Sequence, residues 1–200
     1  MKRPINSRST APRELITPEL VERCKAGDEV AWSELVEATH REVYTLCLRI
    51  LRDPDDAAEA TQDAYLKAWR ALKGFRGDAM FTTWLYRVAS NSAISKHRSR
   101  KRRRTHETGV GDELLGQIAA GGSTETTAGA RIEVQDLERA LAVLPDHYRS
   151  AVVLRDVYGL SIDEIATQLK ISETAAKVRV HRGRKKLKDM LYPASTGEEV

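Results

Sequence analysis

Residues Leu160–Lys188, LSIDEIATQLKISETAAKVRVHRGRKKLK, constrain the fold more than any other part of the chain. They read as two short helices joined by a tight turn. Ser161 caps the first helix, and Glu164 stands three residues later, as a capping box requires. Ile165, Ala166 and Leu169 form its apolar stripe. Ile171 and Ser172 make the turn. Ser172 caps the second helix, and Glu173 sits in its first turn, where the helix dipole favours an acid. In the second helix Ala176, Val180, Gly183 and Leu187 recur at intervals of four, three and four, so they share one face and pack inward. Lys177, His181, Arg184, Lys185 and Lys188 lie opposite, with Arg182 on the flank. Seven Lys/Arg stand from Lys177 to Lys188 with no acid among them, which sets this helix apart from an ordinary solvated face. The outline is a helix-turn-helix, which lays its second helix in a DNA major groove, within reach of phosphates and base edges.

Charge elsewhere supports a polyanionic partner. The net charge is only +4, yet Lys96–Arg104, KHRSRKRRR, holds seven Lys/Arg in nine residues. Two separate basic footprints suggest two contacts with nucleic acid. No stretch approaches the roughly 20 apolar residues that span a bilayer. The N-terminus, MKRPINSRSTAPRELITP, is basic but has no apolar secretory segment. A cytoplasmic protein without membrane insertion is expected. Cys24 and Cys47 both fall on apolar helix faces, and neither has His or Cys partners at ligand spacing. Core packing is the expected role for both, with no metal and no cofactor.

The periodicity is helical throughout, with no alternating strand pattern and no internal repeat. Residues 1–17 read as a disordered tail. Pro18–Lys25 forms a short helix capped by Thr17 and ended by Gly27. A long helix covers Asp28–Leu51, and Asp53-Pro54 opens another, with Asp as cap and Pro in the first turn. After the loop Phe75–Asp78 a further helix runs from about Ala79 to Arg98. Residues 105–131 form a linker; 105–130 hold six of the chain's twelve glycines and no Lys or Arg, with a weak turn around Glu113–Ile118. At full extension it reaches about 90 Å. Helical pattern resumes over Ile132–Leu144 and Asp146–Tyr158. The fold class expected is all-α, with one small helical domain over 18–104, a second over 132–192 and a tail over 193–200.

A helix-turn-helix alone does not say what a DNA binder does. The more distinctive stretch is Phe75–Arg104, where aromatic residues lead into a basic helix. Rings can stack on unpaired bases while cations hold the backbone. Spacing assigns Phe81, Trp84 and Leu85 to the core and leaves Phe75, in the loop, as the better exposed ring. A stand-alone transcriptional regulator would explain the C-terminal half but not this platform. A serine recombinase would need an α/β catalytic domain with an activated serine, and the N-terminal half offers neither.

The run DDAAEATQDAYLKAWRALKGFRGDAMFTTWLYRVASNSAI resembles the second conserved region of bacterial sigma factors of the extracytoplasmic-function class. The run ALAVLPDHYRSAVVLRDVYGLSIDEIATQLKISETAAKVRVHRGRKKL resembles their fourth region. The order is right, and no third region intervenes. The resemblance implies a factor, not an enzyme, that binds core RNA polymerase through its β′ and β subunits and directs it to promoters, often in a stress response. The helix from about Asp56 to Ala71 would dock on the β′ clamp helices, so Asp56, Glu59, Gln62, Asp63 and Leu66 are the implied polymerase contacts. Phe75, Arg76, Gly77, Trp84, Asn91, Lys96 and Arg98 would hold the opened −10 element, with Asn91 reading a flipped-out base. A base leaves the stack for a few kcal/mol, which a pocket can offset, and an amide offers it both donors and an acceptor. Thr174, Ala175, Lys177, Val178, Arg179, His181 and Arg182 would face the −35 duplex, Arg179 through phosphate. Promoter elements nearly two helical turns apart lie about 60 Å apart, at about 34–36 Å per turn, within the linker's reach. An anti-sigma factor is a further implied partner. The sequence departs from the family pattern at Lys170, where a glycine is usual and a left-handed backbone costs lysine about 1 kcal/mol. It departs also at Ala175 and Ala176, which replace bulkier residues.

Overall fold

Helix starts are set by side chains that satisfy the orphan N–H groups of a first turn. Thr17 Oγ1 accepts the Leu20 N–H at 3.2 Å and opens α1 (Pro18–Lys25). Asp28 Oδ1 accepts from Val30 and Ala31, both at 3.0 Å, and opens α2 (Glu29–Leu51). Asp53 does the same for Asp55 and Asp56 at 3.1 and 3.0 Å, with Pro54 leading α3 (Pro54–Ala71). A 3₁₀ turn (Leu72–Gly74) and a short loop follow, then α4 (Phe81–Thr108), α5 (Ala128–Val143) and α6 (Asp146–Val152), which runs into a π-helical turn (Val153–Val157). The chain closes with α7 (Ile162–Leu169) and α8 (Glu173–Leu191). This computed structural model describes residues 16–108 and 128–192, and those residues contain no strand. The fold class expected from sequence is the one observed. Most of the expected N-terminal tail, the weak turn at Glu113–Ile118 and the 193–200 tail lie outside the described residues.

Three helices differ in their bounds from the sequence reading. α4 starts two residues later and continues ten residues past Arg98, because Arg100 pairs with Asp56 at 2.8 Å and Asp53 at 3.3 Å, and Lys96 with Asp56 at 3.4 Å and with Glu59. These acids at the start of α3 neutralise part of a run that would otherwise repel itself. α5 starts at Ala128 rather than Ile132, so both ends of the expected linker are helical. The helix expected over Asp146–Tyr158 widens to a π turn after Val152, and Gly159 ends it at φ 71°.

The N-terminal half packs α2, α3 and α4 together. Leu35, Val43, Leu46, Cys47 and Ile50 of α2 meet an alanine face on α3 (Ala57, Ala60, Ala64, Ala68), and Leu85, Ala89 and Ala93 of α4 complete the core. Small residues on α3 let the helix axes approach closely. Tyr65 is the large residue of that face, and its hydroxyl meets Thr39 Oγ1 at 2.8 Å. Cys24 and Cys47 are buried and unpaired, as expected; burial pushes the Cys47 thiol up to about 11. In the C-terminal half α8 lies across α5, α6 and α7 around Leu144, Val152, Leu154, Leu160, Ile165 and Val180. The two halves also touch. α6 and the π turn meet the end of α2, α7 meets α4, and the Tyr86 and Tyr158 rings stack edge-on at 5.0 Å. Two tethered domains were legible in the sequence; their contact was not.

Candidate nucleic-acid interface

The capping box forms as the sequence spells it. The Ser161 N–H donates to Glu164 Oε2 at 2.8 Å, and the Glu164 N–H to Ser161 Oγ at 3.4 Å. α7 ends at Lys170 in the left-handed conformation, φ 52° and ψ 51°, and the Ile171 N–H returns to Ala166 O at 3.0 Å. Ser172 Oγ then accepts from Ala175 at 3.2 Å to open α8. Ala176, Val180, Gly183 and Leu187 are buried. Gly183 is required by close approach: a Cβ there would stand 2.5 Å from Val152 Cγ2 and 3.3 Å from Tyr148 O. With that face fixed, Thr174, Lys177, Val178, His181 and Arg182 are exposed together, and Ala175 and Arg179 lie at the margin. All seven residues expected at the −35 element are therefore accessible on one side of one helix. Val178, 40% exposed among cations, offers the apolar contact a thymine methyl takes. Arg184 is exposed but engaged, since its Nε donates to Asp156 at 2.9 Å.

In the N-terminal half the rings of Phe75, Phe81 and Trp84 meet at centroid separations of 5.3–5.5 Å. Phe81 is core and Trp84 half-buried. Phe75 is also half-buried, less open than its loop position suggests, with Lys25 Nζ 5.5 Å above its ring. Arg76 and Gly77 are exposed, and Gly77 turns the loop at φ 82°. Trp84, Asn91 and Arg98 recur every seven residues and so share a stripe of α4. Asn91 is exposed, between buried Ser90 and Ser92. Arg98 donates to Gln168 O in α7 at 2.9 Å. Lys96 points elsewhere, to Asp56 and Glu59, and the structure does not bring it to this stripe.

The five residues expected to meet polymerase divide over α3. Asp56 and Glu59 face the basic side of α4, and Asp63 holds Lys67 at 2.6 Å. Gln62 and Leu66 instead line a groove of about 720 Å³ between α2 and α3, with Trp32, Val36, His40 and Trp69. The Trp32 and Trp69 rings meet at a tilt, 5.0 Å between centroids, and His40 lies parallel to Tyr65 at 6.4 Å. Leu66 is 57% and Trp69 37% exposed. Helical periodicity assigns Trp32, Val36 and Trp69 to apolar faces and gives no weight to His40. The available signal was the i, i+4, i+8 run Trp32–Val36–His40, which widens the apolar stripe of α2 beyond what one core face needs.

Residues 35–103 match the family model for Sigma-70 region 2, and residues 134–187 match the model for Sigma-70, region 4. The chain is 31% identical to the ECF RNA polymerase sigma factor SigW of Bacillus subtilis, across 89% of this chain and 98% of that one. It is 33% identical to the RNA polymerase sigma-H factor of Pseudomonas aeruginosa (88% and 93% covered) and 31% to the ECF RNA polymerase sigma-E factor of Escherichia coli (87% and 93%). This chain is an extracytoplasmic-function sigma factor. Its fold is also that of CnrH in complex with the cytosolic domain of CnrY, at TM-score 0.54 and 24% identity over 93% of this chain and all of that one. The sigma factor RpoE from Bartonella quintana, in complex with the anti-sigma factor NepR, aligns at TM-score 0.61 and 22% identity, over 81% and 97%.

The activity of the sigma factor is promoter-specific transcription initiation. Its two family regions coincide with the two packed halves: α2, α3 and most of α4 belong to region 2, and α5 to α8 to region 4.

Proposed function

We propose that this sigma factor reads the −35 duplex with Thr174, Ala175, Lys177, Val178, Arg179, His181 and Arg182, and opened −10 DNA with the Trp84–Asn91 stripe beside Phe75, Arg76 and Gly77. The observation that carries the reading is the accessible side of α8, where cations, a hydroxyl and an apolar residue stand together on a helix seated by its opposite face. Core RNA polymerase docks along α3, with Gln62 and Leu66 entering the contact from the apolar groove and Asp56, Glu59 and Asp63 from the acidic side. The polymerase supplies the chemistry, and the chain serves as a specificity factor without a cofactor of its own. An anti-sigma factor is a further partner, consistent with RpoE, which is described in complex with one. The place of action is the cytoplasm, where polymerase and promoter are; no helix of the described residues is long and apolar enough to cross a membrane.

Run-off transcription with purified core polymerase tests this. Discrete transcripts should require the chain. Asn91→Ala should weaken them by about 5- to 150-fold, as expected for loss of a base-edge contact worth about 1–3 kcal/mol, with core binding unchanged. Leu66→Ala should instead reduce core binding. Strong sequence-specific binding of duplex DNA by the free chain, with no transcripts from its native polymerase, would mean an independent regulator.

A further inference from the structure

Phe75 is the ring that stands beside the Trp84–Asn91 stripe, and its face is covered by a residue from the first helix. Phe81 meets Phe75 edge-on at 88°, and Trp84 meets it at a 47° tilt, so neither lies flat against it. The Lys25 ammonium instead stands over the ring, 5.5 Å from its centroid. Its helix, α1, is a firm base. Leu20, Val21 and Cys24 are buried and Thr17 caps the first turn. The Arg23 guanidinium donates to Asp28 Oδ2 at 2.7 and 2.9 Å and ties α1 to the start of α2. α1 also packs on the 3₁₀ turn that leads into Phe75. Only 22% of the Lys25 side chain is exposed, so the methylene stem lies along the fold and delivers the charge at the ring. A cation in a last turn suits the helix dipole wherever it points; this one stands over an aromatic face.

The charge is lightly held there. The acid beside it is Glu22, at 2.7 Å, whose own side chain is 69% exposed. An ion pair so open to water is weak, and the negative face of a benzene ring attracts a cation only modestly at such a site. A base that stacks on Phe75 takes the place of the ammonium and brings a backbone phosphate with it. The flexible lysine stem lets the same ammonium follow to that phosphate, which is a stronger partner than a ring.

We propose that Lys25 is a further −10 DNA contact, whose ammonium covers the Phe75 ring in the free chain and transfers to a phosphate of the opened strand when a base stacks there. The proposal rests on the reading of opened −10 DNA given above. A salt titration of holoenzyme binding tests it. The holoenzyme is assembled with saturating native core polymerase. The probe is a fluorescent promoter fragment from a run-off start site, with its −10 segment held open by mismatches. Losing one phosphate contact on a single strand lowers the slope of log affinity against log salt by about 0.7. Wild-type affinity should therefore fall about 2- to 3-fold more than that of Lys25→Gln between about 50 and 200 mM salt. K25R should keep the wild-type slope, and N91A should weaken binding with the slope unchanged. A wild-type slope in K25Q overturns the contact even if affinity drops, since Lys25 then acts only by packing against Phe75. If K25Q lowers the slope while N91A binds as wild type does, the Asn91 reading fails and the Lys25 contact stands. Equal binding of the open fragment and its fully paired duplex overturns both.

Discussion

Two single positions in region 4 carry strain and crowding that substitution can expose. Gly183 faces Val152 and the Tyr148 backbone with no room for a methyl group. Gly183→Ala should destabilise region 4 by about 1–3 kcal/mol, the usual cost of overpacking, visible as a lower denaturant midpoint. That loss should come despite the higher helix propensity of alanine. Lys170 holds the left-handed conformation at the end of α7. Lys170→Gly should raise stability by up to about 1 kcal/mol, the left-handed cost less the entropy of a freer unfolded chain. An unchanged or lowered midpoint would show that the turn tolerates lysine without strain. Both positions were legible in part. The strain at Lys170 follows from the turn a helix-turn-helix needs. The inward face of Gly183 follows from helical periodicity, but its crowding does not, because the partner atoms lie more than thirty residues away.

At the scale of helices, starts were easier to read than ends. Thr17, Asp53, Ser161 and Ser172 cap as their spacing indicates, because a cap is a local interaction over two or three residues, whereas Asp28, read as the first residue of its helix, is the cap before it. The end of α4 depends instead on Asp53 and Asp56, 44 or more residues from Arg100. No periodicity reports such a pair. The same limit hid the groove between α2 and α3, since apolar spacing alone does not separate a core face from an exposed one. Burial works to raise the Asp56 pKa, but hydrogen bonds from Arg100 and Lys96 prevail and lower it below its usual value. A depressed carboxylate contributes stability that is present above about pH 3.8 and is lost as pH falls through the folded value. The C-terminal part of α4 should therefore fray on acidification below that range. Asp56→Ala should produce the same fraying at neutral pH, read as faster tryptic cleavage at Arg100–Arg104. Cleavage at the wild-type rate would mean that α4 persists without its acidic partners.

The molecule as a whole joins two domains that sequence reading separated correctly by family and left unconnected in space. Arg49, Glu138, Arg149 and Gln168 are polar residues whose spacing marks no partner, yet they form the contact. A linked pair of domains should unfold together. In calorimetry the wild type should show one coupled transition, whereas R49E should show two as the halves uncouple. Two transitions in the wild type would mean that the contact adds little to stability. One carboxylate has a wider consequence. Asp56, an implied polymerase contact, is shared by Lys96 and Arg100 of the basic helix. If polymerase takes over that carboxylate, two cations are released toward DNA phosphates. The two ligands then favour each other by thermodynamic reciprocity: whatever factor polymerase adds to DNA affinity, DNA must add to polymerase affinity.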